Sequence, residues 1–252
     1  GVHSMNHTIE TILNHRSIRK FKDKALSEQE IHTLVSAAQH ASTSSFVMAY
    51  TIIGVTDPDI KAELRKVSGQ KWVENNGHLF VFCGDLHRVQ ERIPEEEAGD
   101  LQVNIESTEQ FIVTIIDAAL AAQTMAIAAE SLGLGICYLG SLRNDINRVN
   151  ELLELPDHVI PLFGMAVGYP DHDPEVKPRL PFEAVYHENK YKPIDEQAKL
   201  LDQYDEELKA YYENRSFNQK LDTWSKQMTR KYSEATRLDV GTFVEAKKLN
   251  LR

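Results

Sequence analysis

Gln110 to Ala129 (QFIVTIIDAALAAQTMAIAA) is the segment that most constrains this chain, because its twenty residues carry one charge, Asp117. At ~1.5 Å per residue such a helix is about 30 Å long, enough to cross a bilayer. Its content points to a buried central helix instead. Much of it is alanine, and Thr114, Gln123 and Thr124 interrupt the apolar run. An ionised Asp near the middle of a span would cost roughly 2.5–3.5 kcal/mol in lipid. Gly133 and Gly135 supply a helix stop. The alanines also allow a second helix to approach closely, so a dimer seam is expected here and a membrane is not.

The rest of the composition narrows the class. The chain has 252 residues, 42% apolar and 26% charged, which suits a soluble globular fold with a real core. Its formal net charge of −10 argues against binding nucleic acid or anionic lipid, since both need a basic face. It leaves room for a local basic pocket. Cys83 and Cys137 are the two cysteines and form no CxxC pair, which excludes a disulfide scaffold and a thiolate zinc site. Low cysteine content without a signal peptide predicts a cytoplasmic protein. Gly1-Val2-His3-Ser4 before Met5 read as a cloning remnant.

Along the chain, helices are expected over Ile9–Asn14, from the Ser27-x-x-Glu30 capping box to about His40, over Pro58–Val67, and over Asp145–Leu153 with Asn144 as N-cap. Strands are expected at Thr51–Val55, Leu79–Cys83, Gly135–Leu139 and Val159–Val167. Glu91–Glu109 reads as an exposed acidic loop or helix entry, and Asp171–Pro181 as irregular. From Ile194 onward no strand pattern remains. Residues 195–213 hold 7 acidic and 2 basic residues, and 214–252 hold 4 acidic and 9 basic. That gives a core over 5–194 and a helical C-terminal extension over 195–252 of the same domain.

Strands alternating with helices predict, by default, a parallel doubly wound sheet. Its nucleotide-binding turn is missing. Gly133-Leu134-Gly135 has Tyr138 where a third glycine belongs, and lies between a helix and a strand rather than the reverse. No GxxxxGK[ST] loop occurs either. His187-Glu188-x-x-Tyr191 lacks the second histidine of a zinc protease, no metal is expected, and His40, His78 and His187 read as structural.

Three clusters carry chemistry. His15-Arg16-Ser17-Ile18-Arg19-Lys20 packs cations and a hydroxyl together, and guanidinium groups bind phosphate bidentately. Ala41 to Ser45 is a row of small hydroxyl residues. Lys177-Pro178-Arg179-Leu180-Pro181 sets two cations in a stiff loop. A solvated basic surface, a plain turn and a linker are the competing readings of the three.

In this order HRSIRKF, ASTSSF, Ser68-Gly69-Gln70, AAESLGLG–YLGSLRN, KPRLP and Arg215-Ser-Phe-Asn-Gln-Lys220 resemble the nitroreductase superfamily, in particular its oxygen-insensitive, NADPH-preferring nitroreductases and flavin reductases that bind FMN. The resemblance implies an α+β fold with a mixed, largely antiparallel sheet wrapped by helices, in an intertwined homodimer whose core is the helix over 110–132. This displaces the parallel sheet.

It also implies roles. His15, Arg16, Ser17 and Arg19 hold the FMN phosphate and the pyrimidine edge. Thr43, Ser44 and Ser45 close over the flavin from the other subunit. Gln70 bonds the ring edge, and Tyr138, Leu139, Gly140 and Ser141 line it near N5, with Ser141 where many relatives have glycine. Lys177 and Arg179 complete the phosphate site. Arg215 and Lys220 match positions that hold the NADPH 2′-phosphate; a lysine at 220 keeps the charge but loses the guanidinium fork. The competing reading pairs these two cations with the acidic helix before them.

By the same resemblance NADPH gives hydride to flavin N5, NADP⁺ leaves, and a small electron-poor aromatic, quinone or flavin acceptor takes two electrons in the same place, a ping-pong sequence. The cofactor carries the chemistry, so no catalytic acid or base is assigned. Two other outcomes stay open: a reductase of disulfides or another physiological acceptor on the same scaffold, and a flavin-binding protein without activity.

Overall fold

The computed structural model describes residues 6–252. The remnant expected at Gly1–Ser4 lies outside the described residues. The chain divides into two compact units. One runs through His172 and resumes over Arg237–Arg252; the other is Asp173–Thr236.

The first unit is built on four strands, β1 (Tyr50–Val55), β2 (His78–Asp85), β3 (Gly135–Leu139) and β4 (Val159–Gly168), in the order β1-β2-β4-β3. All three pairings are antiparallel. The parallel default fails for a physical reason. A continuous apolar strand signals cover on both faces, which parallel sheets always have and an antiparallel sheet can also have. Here β2 is buried along its whole length. Phe80 and Phe82 point into one core with Leu34, Ala118, Met125 and Met165. Leu79, Val81 and Cys83 point into a second with Leu64, Leu139 and Leu142. Among the described residues the one parallel pairing is an isolated bridge, Ser17 to Ile136.

Around the sheet lie α1 (His7–Leu13), α2 (Glu28–Gln39), α3 (Pro58–Ser68), α4 (His87–Arg92), α5 (Leu101–Ile105), α6 (Thr108–Ser131), α7 (Ile146–Leu153) and, after the second unit, α11 (Asp239–Ala246). The Ser27–Glu30 capping box forms reciprocally, with bonds of 3.0 and 2.9 Å. Such a cap stabilises a helix by about 1 kcal/mol. The acidic stretch is not a loop; it is divided between α4, a 3-10 turn at Glu95–Glu97 and α5. The N-cap of α7 is Asp145 rather than Asn144, because the Asp145 carboxylate accepts the Arg148 N–H at 3.1 Å. The Asn144 amide is occupied elsewhere.

By length and composition α6 could cross a membrane. Its inner face instead buries Val113, Asp117, Ala118, Ala121, Met125 and Ala129. It stops in a Schellman motif: Gly133, at φ 81°, donates to Glu130, and Leu134 donates back to Ala129, each at 3.0 Å. The expectation of a buried helix holds for that face only. Ile112, Ile115, Ile116 and Leu120 form an exposed stripe at spacings of three and four.

The second unit contains α8 (Phe182–Val185), α9 (Ile194–Asn214) and α10 (Trp224–Tyr232). Tyr204, Leu208 and Tyr212 of α9 form its small core, and the Tyr204 hydroxyl donates to the Pro178 carbonyl at 2.7 Å.

Candidate functional site

The basic segment at the start of the chain is held against the sheet. The Ile18 N–H donates to the Ile136 carbonyl at 2.9 Å, and Phe21 bridges Pro170, so the segment runs from the edge of β3 to the chain just after β4. Ile18 is buried, which turns its neighbours Ser17 and Arg19 the other way. The Arg19 N–H donates to His172 Nε2 at 3.0 Å, and its guanidinium lies 6.0 Å from the Trp72 ring centre. Arg16 Nη1 donates to the Asn14 carbonyl at 3.1 Å. Arg16 and Ile18 also line a cleft of about 500 Å³ with Glu130 and Gly135, a size that suits a small-molecule site. His15 Nδ1 is 2.8 Å from Glu130 Oε2. Glu130 therefore orients the histidine, a role the sequence reading did not assign although Glu130 lies inside a motif it quoted.

The second cluster forms where α3 ends. Gly69 is left-handed at φ 77° and closes the helix, and Gln70 follows in extended conformation. The Ser141 hydroxyl donates to Gln70 Oε1 at 2.9 Å and lies 2.6 Å from the Ser68 hydroxyl. Residues 71 positions apart thus form one hydroxyl–carboxamide chain. Asn144 adds its amide to the Val67 and Ser68 carbonyls at 3.4 and 3.5 Å and accepts from Arg237 Nε at 3.0 Å. Arg143 donates to the Leu162 carbonyl. Burial first, then the Arg237 charge, lowers the Arg143 pKa. No role was assigned from sequence to Ser68, Arg143 or Arg237; Ser68 and Arg143 had a signal, as members of the Ser68-Gly69-Gln70 and YLGSLRN motifs, and Arg237 had none. Tyr138 is partly exposed on β3, donates to Gln123 Oε1 at 3.1 Å and packs edge-on to Phe163. Burial, reinforced by Glu130, pushes its phenol well up, so it stays neutral. Leu139 is fully buried and leads into Gly140 and Ser141.

Thr43, Ser44 and Ser45 open a loop in which Ser45, Phe46 and Met48 have φ of 49°, 57° and 54°. Phe46 is 79% exposed. A cleft of about 590 Å³ lies along it, lined by Thr43, Ser45, Phe46 and Met48.

In the second unit, Tyr212 gathers three predicted cations. Lys177, Arg215 and Lys220 lie 5.2, 4.8 and 4.4 Å from its ring centre. Tyr212 is buried, and its hydroxyl accepts from Gln227 at 3.0 Å. Burial tends to raise its pKa, but the bonds from Lys177 and Gln227 and the lysine charges outweigh it, so the net shift is downward. Arg215 Nε donates to the Asn218 carbonyl at 2.8 Å, which fixes the guanidinium on the Tyr212 face. Lys220 is 3.7 Å from Asp222, which Arg230 also holds. The competing pairing of Arg215 and Lys220 with α9 is met by an aromatic ring of that helix, not by its carboxylates. Arg179 Nη1 donates to the Lys177 carbonyl at 2.6 Å. Nothing in the sequence pattern pointed to Tyr212.

The remaining histidines do local work. His187 Nδ1 accepts the Lys192 N–H at 3.0 Å and its Nε2–H donates to the Ala184 carbonyl at 3.0 Å. His40 Nδ1 donates to the Ser36 carbonyl at 2.8 Å. Among the described residues no cluster of three metal-ligating side chains occurs.

Comparison with known proteins covers nearly the whole chain. A family model described as the nitroreductase family matches residues 12–169, and one described as the nitroreductase family, C-terminal domain, matches 177–252. An FMN reductase (NADPH) of Bacillus subtilis (strain 168) is 51% identical over 248 residues, 98% of this chain and 99% of that protein. The structure of NfrA1 nitroreductase from B. subtilis superposes with a TM-score of 0.92 at 51% identity, covering 97% of this chain and 100% of that one. The NADPH:FMN oxidoreductase from Vibrio harveyi, solved with NAD⁺, gives 0.88 at 38% identity, covering 98% of this chain and 100% of that one.

Proposed function

The chain belongs to the nitroreductase family, and from that premise we propose how its residues divide the work of the reaction. It is an NADPH-dependent FMN oxidoreductase. We take the acceptors to be nitroaromatics, quinones or free flavin, reduced by two electrons in a ping-pong sequence.

The donor set fits FMN. Arg16, Ser17 and Arg19 offer cations and a hydroxyl suited to a phosphate. Gln70 offers a carboxamide for the ring edge. When bound, FMN supplies the two-electron chemistry that no side chain here can supply. The chain's own tasks are binding, orientation and electrostatics. Cations near the pyrimidine edge favour the anionic reduced form and ease hydride acceptance. The Lys177–Arg215–Lys220 group around Tyr212 suits the 2′-phosphate that distinguishes NADPH from NADH.

The exposed stripe Ile112, Ile115, Ile116 and Leu120 on α6 supports a homodimer, since such a contiguous patch is rarely left in water. We place the enzyme in the cytoplasm, with no membrane or nucleic acid partner.

The observation that carries the reading is the junction of Gln70 with Ser141, two motif residues brought into one hydrogen-bonded edge. The test is anaerobic. Stoichiometric NADPH should bleach the flavin far faster than NADH, and nitroaromatic, quinone and flavin acceptors should then restore the colour in a separate step. Steady-state double-reciprocal plots should be parallel. Intersecting lines would reject the ping-pong order, and colour that NADPH fails to bleach would favour a non-enzymatic flavin protein.

A further inference from the structure

We propose that Asp117 is a positioning residue: from inside α6 it sets the shape of the loop from Ser44 to Met48. Its side chain is 0% exposed. Its two oxygens accept from two backbone N–H groups, Ser44 to Oδ1 at 2.8 Å and Ala49 to Oδ2 at 2.9 Å. Among the described residues it forms no ion pair. A buried carboxylate without a cation is costly to keep, and is tolerated only where hydrogen bonds satisfy it.

What those bonds accomplish is visible in the backbone. The two donors bracket Ser45, Phe46 and Met48, three non-glycine residues in the left-handed region. That conformation persists in side-chain-bearing residues only when the surroundings impose it. Inside the loop, Val47 packs against the core and two short backbone bonds add to it. Val47 donates to the Ser44 carbonyl at 3.0 Å and Tyr50 to Met48 at 2.8 Å. Phe46, the largest side chain at the tip, is exposed and adds no burial of its own to the loop. One carboxylate therefore pins the loop where it starts and where it ends.

The chemistry explains the residue type. Both partners are donors, so the site wants two acceptors. Asparagine has nearly the same shape but would set its NH₂ against one of the two N–H groups. The functional consequence rests on the reading above, in which Thr43, Ser44 and Ser45 close over FMN.

The experiment uses the purified flavoprotein and its Asp117→Asn variant. Amide hydrogen exchange of residues 45–49 should be at least tenfold faster in the variant, with β2 and β4 unchanged. FMN release on dilution, followed by recovery of flavin fluorescence, should give a Kd at least tenfold weaker. If Asp117→Asn fails to fold, Ser44→Pro removes one donor without touching the buried carboxylate, and the exchange of residues 45–48 is read there. Unchanged loop exchange overturns the proposal. Faster exchange with unchanged FMN affinity sustains it, and overturns instead the reading that this loop contacts FMN.

Discussion

The hydroxyl of Ser141 donates to the side-chain carbonyl of Gln70 over 2.9 Å. A single neutral hydrogen bond contributes about 1 kcal/mol. Ser141→Ala should therefore weaken FMN binding about fivefold, measured by fluorescence titration, while Gln70→Ala should weaken it further. Ser141→Ala with wild-type affinity would show that the hydroxyl does not orient the carboxamide.

The Arg215 guanidinium lies 4.8 Å from the Tyr212 ring centre, with its Nε bonded to the Asn218 carbonyl. Losing one charge-assisted contact to a phosphate costs roughly 1.5–3 kcal/mol. Arg215→Ala should raise the KM for NADPH about ten- to a hundredfold and barely move that for NADH. Equal changes with both coenzymes would refute the 2′-phosphate assignment.

Two buried histidines make stability depend on pH. Burial, the largest cause in each, lowers the pKa of His78 and of His158. Among the described residues both ring nitrogens of His158 lack a hydrogen-bond partner. The unfolded chain takes up protons near pH 6.5 and the folded one does so only at lower pH. Above about 6.5 neither state is charged and stability is full. As pH falls below it the unfolded state gains protons first, so stability declines until the depressed native value is reached. Denaturant melts between pH 7.5 and 5 should show this fall. His158→Asn should flatten part of it, since asparagine tolerates the local φ of 67°.

Cys83 and Cys137 are buried in β2 and β3. Burial pushes the Cys83 thiol up to about 12 and also raises Cys137. Thiolate is the reactive form, so a thiol reagent at pH 8 should modify neither until the protein is unfolded. Rapid labelling of the native enzyme would reopen a thiol-based disulfide reductase.

Much of this was legible in the residues. The strands at Thr51–Val55 and Leu79–Cys83, the capping box at Ser27 and the glycine stop at 133 are local signals, and they form where expected. Strand direction was not local. β2 reads the same whether its neighbours run with it or against it, because both its faces are covered. The site divides similarly. Its motif residues were found by resemblance, but the pairings of Glu130 with His15, Ser68 with Ser141 and Tyr212 with Lys177 join residues distant in sequence, which no spacing rule records. Asp117 was the exception: one charge in a long apolar helix is conspicuous, yet its partners at 44 and 49 needed coordinates.

The order of the two units along the chain has a consequence for proteolysis. Residues 173–236 form one unit, and the chain then returns to the other to add α11, whose Phe243 and Val244, with Leu249 just after it, are buried in the larger core. A protease that cuts once in the exposed Ser216–Leu221 stretch releases no domain. It converts the molecule into two interlocked fragments, the shorter of which stays because its own C-terminal residues are part of the larger fragment's interior. Such a nicked protein should run as two bands when denatured and as one species when native.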